Sequence, residues 1–166
     1  MKFTERGDKN STLRRPLHRA AGSASTLTTA VLSLIMLGAT TAHADTTQTF
    51  KNQATGRCLH ADVTVPSVYA VRCDGDSWQR WNVHVWADGT REIKHVMTGE
   101  CLDDSNAYGL RKFPCNASKF QSWYIHRWND GTIEVKNQAT GRCLDDSNAY
   151  GTRTYPCNAT EFQSWS

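Results

Sequence analysis

Cys101-Leu102, Cys115 and Gln121-Ser122-Trp123 form a pattern that this chain writes three times. The earlier copy is Cys58-Leu59, Cys73 and Gln79-Arg80-Trp81, and the later one is Cys143-Leu144, Cys157 and Gln163-Ser164-Trp165. The interval is about 42 residues each time, so everything beyond the first quarter of the chain is one unit in triplicate. A propeller of this period needs at least about four blades, and a solenoid needs distinct end repeats. Three copies with no room for caps must close on themselves.

Within each unit the turn signals are dense. Ala54-Thr55-Gly56, Met97-Thr98-Gly99 and Ala139-Thr140-Gly141 interrupt the chain just before each Cys-Leu, and Asp88-Gly89 and Asp130-Gly131 are hairpin turns between alternating apolar stretches. The pattern predicts short strands at 48–53, 58–61, 69–73 and 79–86 in the first unit, and opening strands at 91–96 and 133–138 in the next two. No stretch keeps a 3.6-residue apolar period, so the domain reads as all-β with roughly four strands per unit and about twelve in all. Trp81, Trp123 and Trp165 share one phase of their strands and are expected to form a common core. Trp86 and Trp128 repeat as well and are expected to cover the barrel's end.

The first 44 residues read differently. A polar, basic segment carrying Lys2, Arg6, Lys9, Arg14, Arg15 and Arg19 leads into an apolar or small stretch from Leu27 to Ala39, and Ala42-His43-Ala44 supplies the small residues a signal peptidase reads. A secretory signal over residues 1–44 is expected, with cleavage after Ala44 and the mature protein outside the cell. Arg14-Arg15 also admits a twin-arginine route, although Leu13 and Pro16 flank the pair. The apolar stretch is too short and too rich in threonine for a membrane span. Of the 19 basic and 16 acidic residues, 6 and 2 fall before residue 45, which leaves 13 against 14 and a net charge of −1 beyond it. Basic residues scattered among acids do not displace counterions from a polyanion, so nucleic acid is not an expected partner.

All six cysteines lie beyond the leader, two per unit. Fifteen pairings are conceivable for six cysteines. In a threefold chain the simplest is Cys58–Cys73, Cys101–Cys115 and Cys143–Cys157, one disulfide inside each repeat. Zinc is the competing reading, but it favours Cys-x-x-Cys spacings with histidine nearby, and none occurs, so neither metal nor cofactor is expected.

The triplicated Cys-Leu, second Cys and Gln-x-Trp resemble the ricin B-type lectin domain, over essentially all of residues 46–166. The resemblance implies a β-trefoil, a six-stranded barrel capped by three hairpins, with repeats at about 46–90, 91–131 and 132–166. It also implies a shallow sugar pocket in each competent repeat: a carboxylate after Cys-Leu, an aromatic ring two positions before the second Cys, and the Gln of Gln-x-Trp as a brace. Those places hold Asp103, Phe113 and Gln121 in the second repeat and Asp145, Tyr155 and Gln163 in the third. In the first they hold His60, Val71 and Gln79, so that unit is expected to be structural. Trp78, Phe120 and Phe162 stand where the family usually has a ligand Asn, and Arg111 and Arg153 stand where it often has Gln. Two guanidinium groups at pocket positions point to anionic glycans, because they match carboxylate or phosphate geometry.

Other assignments for these residues remain open at the level of sequence. Asp103 and Asp145 are equally able to pair with Arg111 and Arg153, Asp104 and Asp146 have the character of turn acceptors, and Tyr108 and Tyr150 suit either an outer aromatic wall or loop packing. His84 and His126, in register, suggest architecture. No hydrolase elbow, zinc-protease motif or phosphate loop occurs. The paired carboxylates Asp103-Asp104 and Asp145-Asp146 point to opposite faces of an extended chain and cannot flank one glycosidic bond. Two readings follow: a secreted, non-catalytic carbohydrate-binding protein, or a secreted protein–protein module, as a toxin-assembly adaptor or enzyme inhibitor, using the same loops.

Overall fold

In the computed structural model, residues 44–166 are described; the expected leader, apart from Ala44, lies outside the described residues. Eleven strands follow in chain order: β1 (Thr46–Gln48), β2 (Arg57–Ala61), β3 (Val68–Arg72), β4 (Trp81–Val85), β5 (Arg91–His95), β6 (Cys101–Ser105), β7 (Gly109–Phe113), β8 (Ser122–Arg127), β9 (Ile133–Asn137), β10 (Arg142–Ser147) and β11 (Gly151–Pro156). Three one-turn 3-10 helices, Ser77–Gln79, Lys119–Gln121 and Glu161–Gln163, precede the core tryptophans. The all-β class holds, and so does the trefoil plan. Strands β1, β4, β5, β8 and β9 pair in that order as a barrel wall, and the hairpins β2–β3, β6–β7 and β10–β11 each pair antiparallel.

The sixth wall position belongs to the last residues. Trp165 bridges Asn52 on one side and Ile133 on the other, and Lys51 and Ser166 exchange both backbone hydrogen bonds at 2.8 and 2.9 Å. These bonds close the ring without a regular strand, so the described residues hold eleven strands instead of about twelve. For the same reason the strand expected at 48–53 ends at Gln48, with Lys51 and Asn52 as isolated bridges. The strand expected from Gln79 begins at Trp81, because residues 77–79 wind into a 3-10 turn.

The triplicated residues explain the packing. Trp81, Trp123 and Trp165 are fully buried, and their indole N–H groups donate to the carbonyls of Leu59, Leu102 and Leu144 at 3.1, 3.0 and 3.0 Å. Each tryptophan therefore fills the common core and ties the barrel wall to its own repeat's hairpin. The glutamines of Gln-x-Trp are buried too. Their amide nitrogens donate to the carbonyls of Arg72, Pro114 and Pro156, and their oxygens accept from the N–H groups of Asp74, Asn116 and Asn158. This amide pair fixes the loop that follows each second cysteine. The three expected disulfides are present and no cysteine is free, so the six sulfurs offer zinc no thiolate.

Neighbouring repeats are joined by ions. Fully buried Asp104 accepts from Arg142 of the next repeat, Nε at 3.1 Å and Nη2 at 2.6 Å, and from the Thr154 hydroxyl at 2.7 Å. Asp146, also fully buried, is gripped by Arg57 through Nε and Nη2 at 2.9 Å each, with Thr152 Oγ1 at 2.7 Å. The third junction cannot repeat this clasp, because Ala61 stands in the aspartate's place and Glu100 in the arginine's. Both partners have changed together: Glu100 accepts instead from the buried Lys112 Nζ, at 2.6 Å.

His95 is a second departure from threefold symmetry. It occupies the place of Asn52 and Asn137 and does their work with a ring: Nε2 lies 3.1 Å from the Trp78 carbonyl, and Nδ1 accepts from the Thr98 N–H at 3.3 Å. Burial lowers its pKa below the usual histidine range. The unfolded chain then binds a proton that the folded chain refuses, so this residue's stabilisation is lost as pH falls through the ordinary value of about 6.5 toward the lower folded one. His95→Asn is expected to flatten that acid-side loss, read as a smaller drop in melting temperature between neutral pH and about pH 5 than the parent shows. An equal drop in both proteins would contradict the assignment.

Candidate functional site

Hairpins β6–β7 and β10–β11 each present one cluster at the protein surface. The register places Asp103 opposite Arg111 and Asp145 opposite Arg153. Arg111 Nε donates to Asp103 Oδ1 at 2.9 Å, and Arg153 Nε to Asp145 Oδ1 at 3.1 Å. Each guanidinium also lies between two aromatic rings. Arg111 sits 4.5 Å from the Tyr108 ring centre and 4.2 Å from that of Phe113. Arg153 sits 4.4 Å from Tyr150 and 4.3 Å from Tyr155. The aspartates beneath are only 3% exposed, whereas Tyr108 and Tyr150 are 72% exposed.

The arrangement has a local cause. Asp103 and Asp104 are successive residues of one strand, so one carboxylate faces the hairpin's own arginine and the other faces the next repeat. The turn then folds back on Ser105 and Ser147, whose hydroxyls accept from the N–H groups of Tyr108 and Tyr150 at 3.0 and 3.1 Å. Those bonds set the tyrosines over the arginines. In the third repeat a hollow of about 440 Å³ opens beside the cluster, lined by Asp145, Tyr150, Arg153, Tyr155, Asn158 and Phe162 among others.

The structure thus brings the aspartate, arginine and aromatic of each repeat into contact, with Gln121 and Gln163 underneath as loop braces. Gln163 Nε2 also lies 3.4 Å from Asp145 Oδ2. Two roles differ from a plain carboxylate-and-ring pocket. One oxygen of each aspartate is already taken by an arginine, and each arginine covers a face of Phe113 or Tyr155. Sequence reasoning left Tyr108 and Tyr150 undecided; both are exposed, each with its ring against the neighbouring guanidinium. The arginines of the buried clasps, Arg57 and Arg142, were missed, although both precede Cys-Leu within the identical stretches 51–59 and 136–144, and Glu100 stands at their place in the second repeat.

The first repeat builds something else. Tyr69 stands at the arginine position, lies tilted against His60 with ring centres 4.8 Å apart, and donates its hydroxyl to Asp62 at 2.6 Å. Hydrogen bonds from Thr64 and then Tyr69 hold the Asp62 carboxyl well below the usual range. Tyr69 and Asp62 satisfy one another in this hairpin, while the buried Nδ1 of His60 has no partner among the described residues.

The sequence model of the ricin-type beta-trefoil lectin domain matches residues 89–166, the part that holds both clusters. Residues 89–166 therefore match the ricin-type β-trefoil lectin family, and the fold of the described residues is a β-trefoil. No curated protein sequence matches the chain. Among solved structures the fold is shared with the designed threefold-symmetric protein ThreeFoil, at 21% identity and a TM-score of 0.64 over 72% of this chain and 95% of that one. It is shared with the Polyporus squamosus lectin bound to Neu5Acα2-6Galβ1-4GlcNAc, at 16% identity and 0.62 over 75% and 48%. A GlcNAcα1-4Gal-releasing endo-β-galactosidase from Clostridium perfringens shares it at 17% identity and 0.65, over 72% of this chain and 31% of the enzyme.

Proposed function

We propose that the protein binds carbohydrate, without chemistry of its own, through the two Asp–Arg–aromatic clusters of repeats two and three, and does so outside the cell once residues 1–44 are removed. The observation that carries this reading is that the whole cluster, down to the tyrosine set by a serine hydroxyl, is built twice on a disulfide-locked scaffold. A guanidinium fixed by an aspartate at Nε and by rings on its faces has its orientation set before a ligand arrives, which lowers the ordering cost of binding. Among the described residues neither Nη of Arg111 or Arg153 has a protein acceptor, so the outer edge of each fork is free for a carboxylate, sulfate or phosphate, while the tyrosines offer ring faces to sugar C–H groups. Acidic glycans are therefore the favoured class, and the Polyporus lectin of the same fold was solved with a sialylated trisaccharide. The two clusters belong to different repeats, so a surface dense in glycans gains avidity of about 10²–10⁴ where spacing allows both to engage.

A glycan array carrying sialylated, uronic-acid and sulfated oligosaccharides beside neutral galactosides tests this. The protein is expected to retain the acidic glycans, and the Arg111→Lys/Arg153→Lys double variant, which keeps charge but loses the stacked fork, to bind them about tenfold or more weakly. Undiminished binding by that variant would put the site elsewhere. The engaged aspartates favour one other reading, docking of the same loops on a protein, and an array without any bound glycan would support it.

A further inference from the structure

Away from those hairpins, two junctions between repeats make a shallow hollow from matching parts. One, of about 410 Å³, is lined by Trp86, Asp88, Ala117, Lys119, Ser122 and Gln138 among others. The other, of about 320 Å³, is lined by Trp128, Asp130, Ala159, Glu161, Ser164 and Gln53 among others. In each, the tryptophan and aspartate come from the turn that closes one repeat's barrel hairpin, the middle residues follow the second cysteine of the next repeat, and the glutamine belongs to the third. The set exists only when all three repeats are folded. Trp86 and Trp128, expected to cover the barrel's end, line these two hollows.

We propose that these two hollows are sugar-binding pockets of a second kind, each receiving one neutral hexose ring. The parts are a ring face, an ionised acceptor and an amide donor. Trp86 is pinned by an edge contact with His84, ring centres 4.5 Å apart, and Trp128 by His126 at 4.3 Å, so each indole is held in place before a ligand arrives. Asp88 and Asp130 use one oxygen to accept from the N–H and hydroxyl of Thr90 and Thr132, bonds that hold both carboxyls below the usual range. The other oxygen of each meets only a long contact from the glutamine amide: Gln138 Nε2 at 3.4 Å and Gln53 Nε2 at 3.2 Å. Hydrogen bonds of that length, against an ordinary 2.9–3.0 Å or so, are readily exchanged for a hydroxyl that accepts from the amide and donates to the carboxylate. At the remaining junction Val96 replaces the glutamine and Arg80 the serine, so the set does not recur there. Lys119 of the first hollow corresponds to Glu161 of the second, the one charged difference, so a uronic-acid ring is accepted by the first hollow and disfavoured by the second.

The intact protein, labelled with nitrogen-15 at its indoles, is titrated with methyl α-D-galactoside, methyl β-D-glucoside, methyl α-D-mannoside and methyl β-D-glucuronide up to their solubility. The Trp86 and Trp128 indole N–H signals are expected to shift saturably with at least one neutral glycoside, and with the glucuronide Trp86 is expected to respond more strongly than Trp128. Asp88→Asn keeps the oxygen that caps Thr90, and is expected to weaken the Trp86 response about tenfold or more without altering that of Trp128; Asp130→Asn does the reverse. Unchanged signals from buried Trp81, Trp123 and Trp165 certify folding, and Gln138→Ala and Gln53→Ala serve if an aspartate variant fails that check. The absence of a saturable shift with every neutral glycoside, or shifts that survive these substitutions, would overturn the proposal. Binding at the arginine clusters has its own signals in Tyr108 and Tyr150, so the two readings fail separately.

Discussion

Reduction of the three disulfides is expected to unfold the domain. Each closes a loop of 14 or 15 residues, a constraint on the unfolded chain worth about 3 kcal/mol. Three such loops approach about 9 kcal/mol, within the 5–15 kcal/mol or so that a domain of this size has in total. The unusual dependence follows from the core, which is a small apolar cluster around three tryptophans with buried polar residues on its margins. Circular dichroism and tryptophan fluorescence in excess dithiothreitol read the result. A reduced protein that keeps native spectra and cooperative melting near the parent temperature would show that the core alone sustains the fold.

Asp104→Ala is expected to destabilise by about 3 kcal/mol, as is Asp146→Ala. Breaking a buried ion pair costs about 3–5 kcal/mol, because the surviving charge is left desolvated. The lower end applies, since the side chains of Arg142 and Arg57 remain 28% and 30% exposed and recover some water. The threonine hydroxyls that donate to each aspartate lose an acceptor as well. Asp45→Ala, which removes only the exposed partner of His84, is expected to change stability by no more than about 0.5 kcal/mol. Urea titration of the three variants measures the contrast. Equal, small effects would mean that the inter-repeat clasps do not hold the repeats together.

The trefoil was legible in the sequence because its determinants are local and triplicated: Cys-Leu, the second Cys and Gln-x-Trp each fix one contact within a repeat, and three copies expose the pattern. Strand limits near residues 50 and 79 were less legible. There the ring closes through isolated bridges to Trp165, and the Gln of Gln-x-Trp turns into the loop it braces, neither of which alternation can reveal. For the candidate site, the spacing brought Asp103, Arg111 and Phe113 to one hairpin, but it could not say whether the arginine would face a ligand or lie between rings. That depends on the Tyr108 turn, set by a single Ser105 hydroxyl bond. Asp104 and Asp146 were harder still, because their partners lie 38 and 89 residues away in sequence. The reciprocal change at Ala61 and Glu100 was the one internal clue.

On the function proposed above, repeats two and three bind glycan through their arginine clusters and repeat one does not. The most direct measurement is residue-resolved nuclear magnetic resonance of the intact protein during titration with a sialylated trisaccharide. The expected result is saturable movement of the Tyr108, Arg111 and Phe113 signals and of the Tyr150, Arg153 and Tyr155 signals, with His60, Tyr69 and Val71 unmoved. Movement centred on His60, Tyr69 and Val71, or none at either arginine cluster, would contradict it.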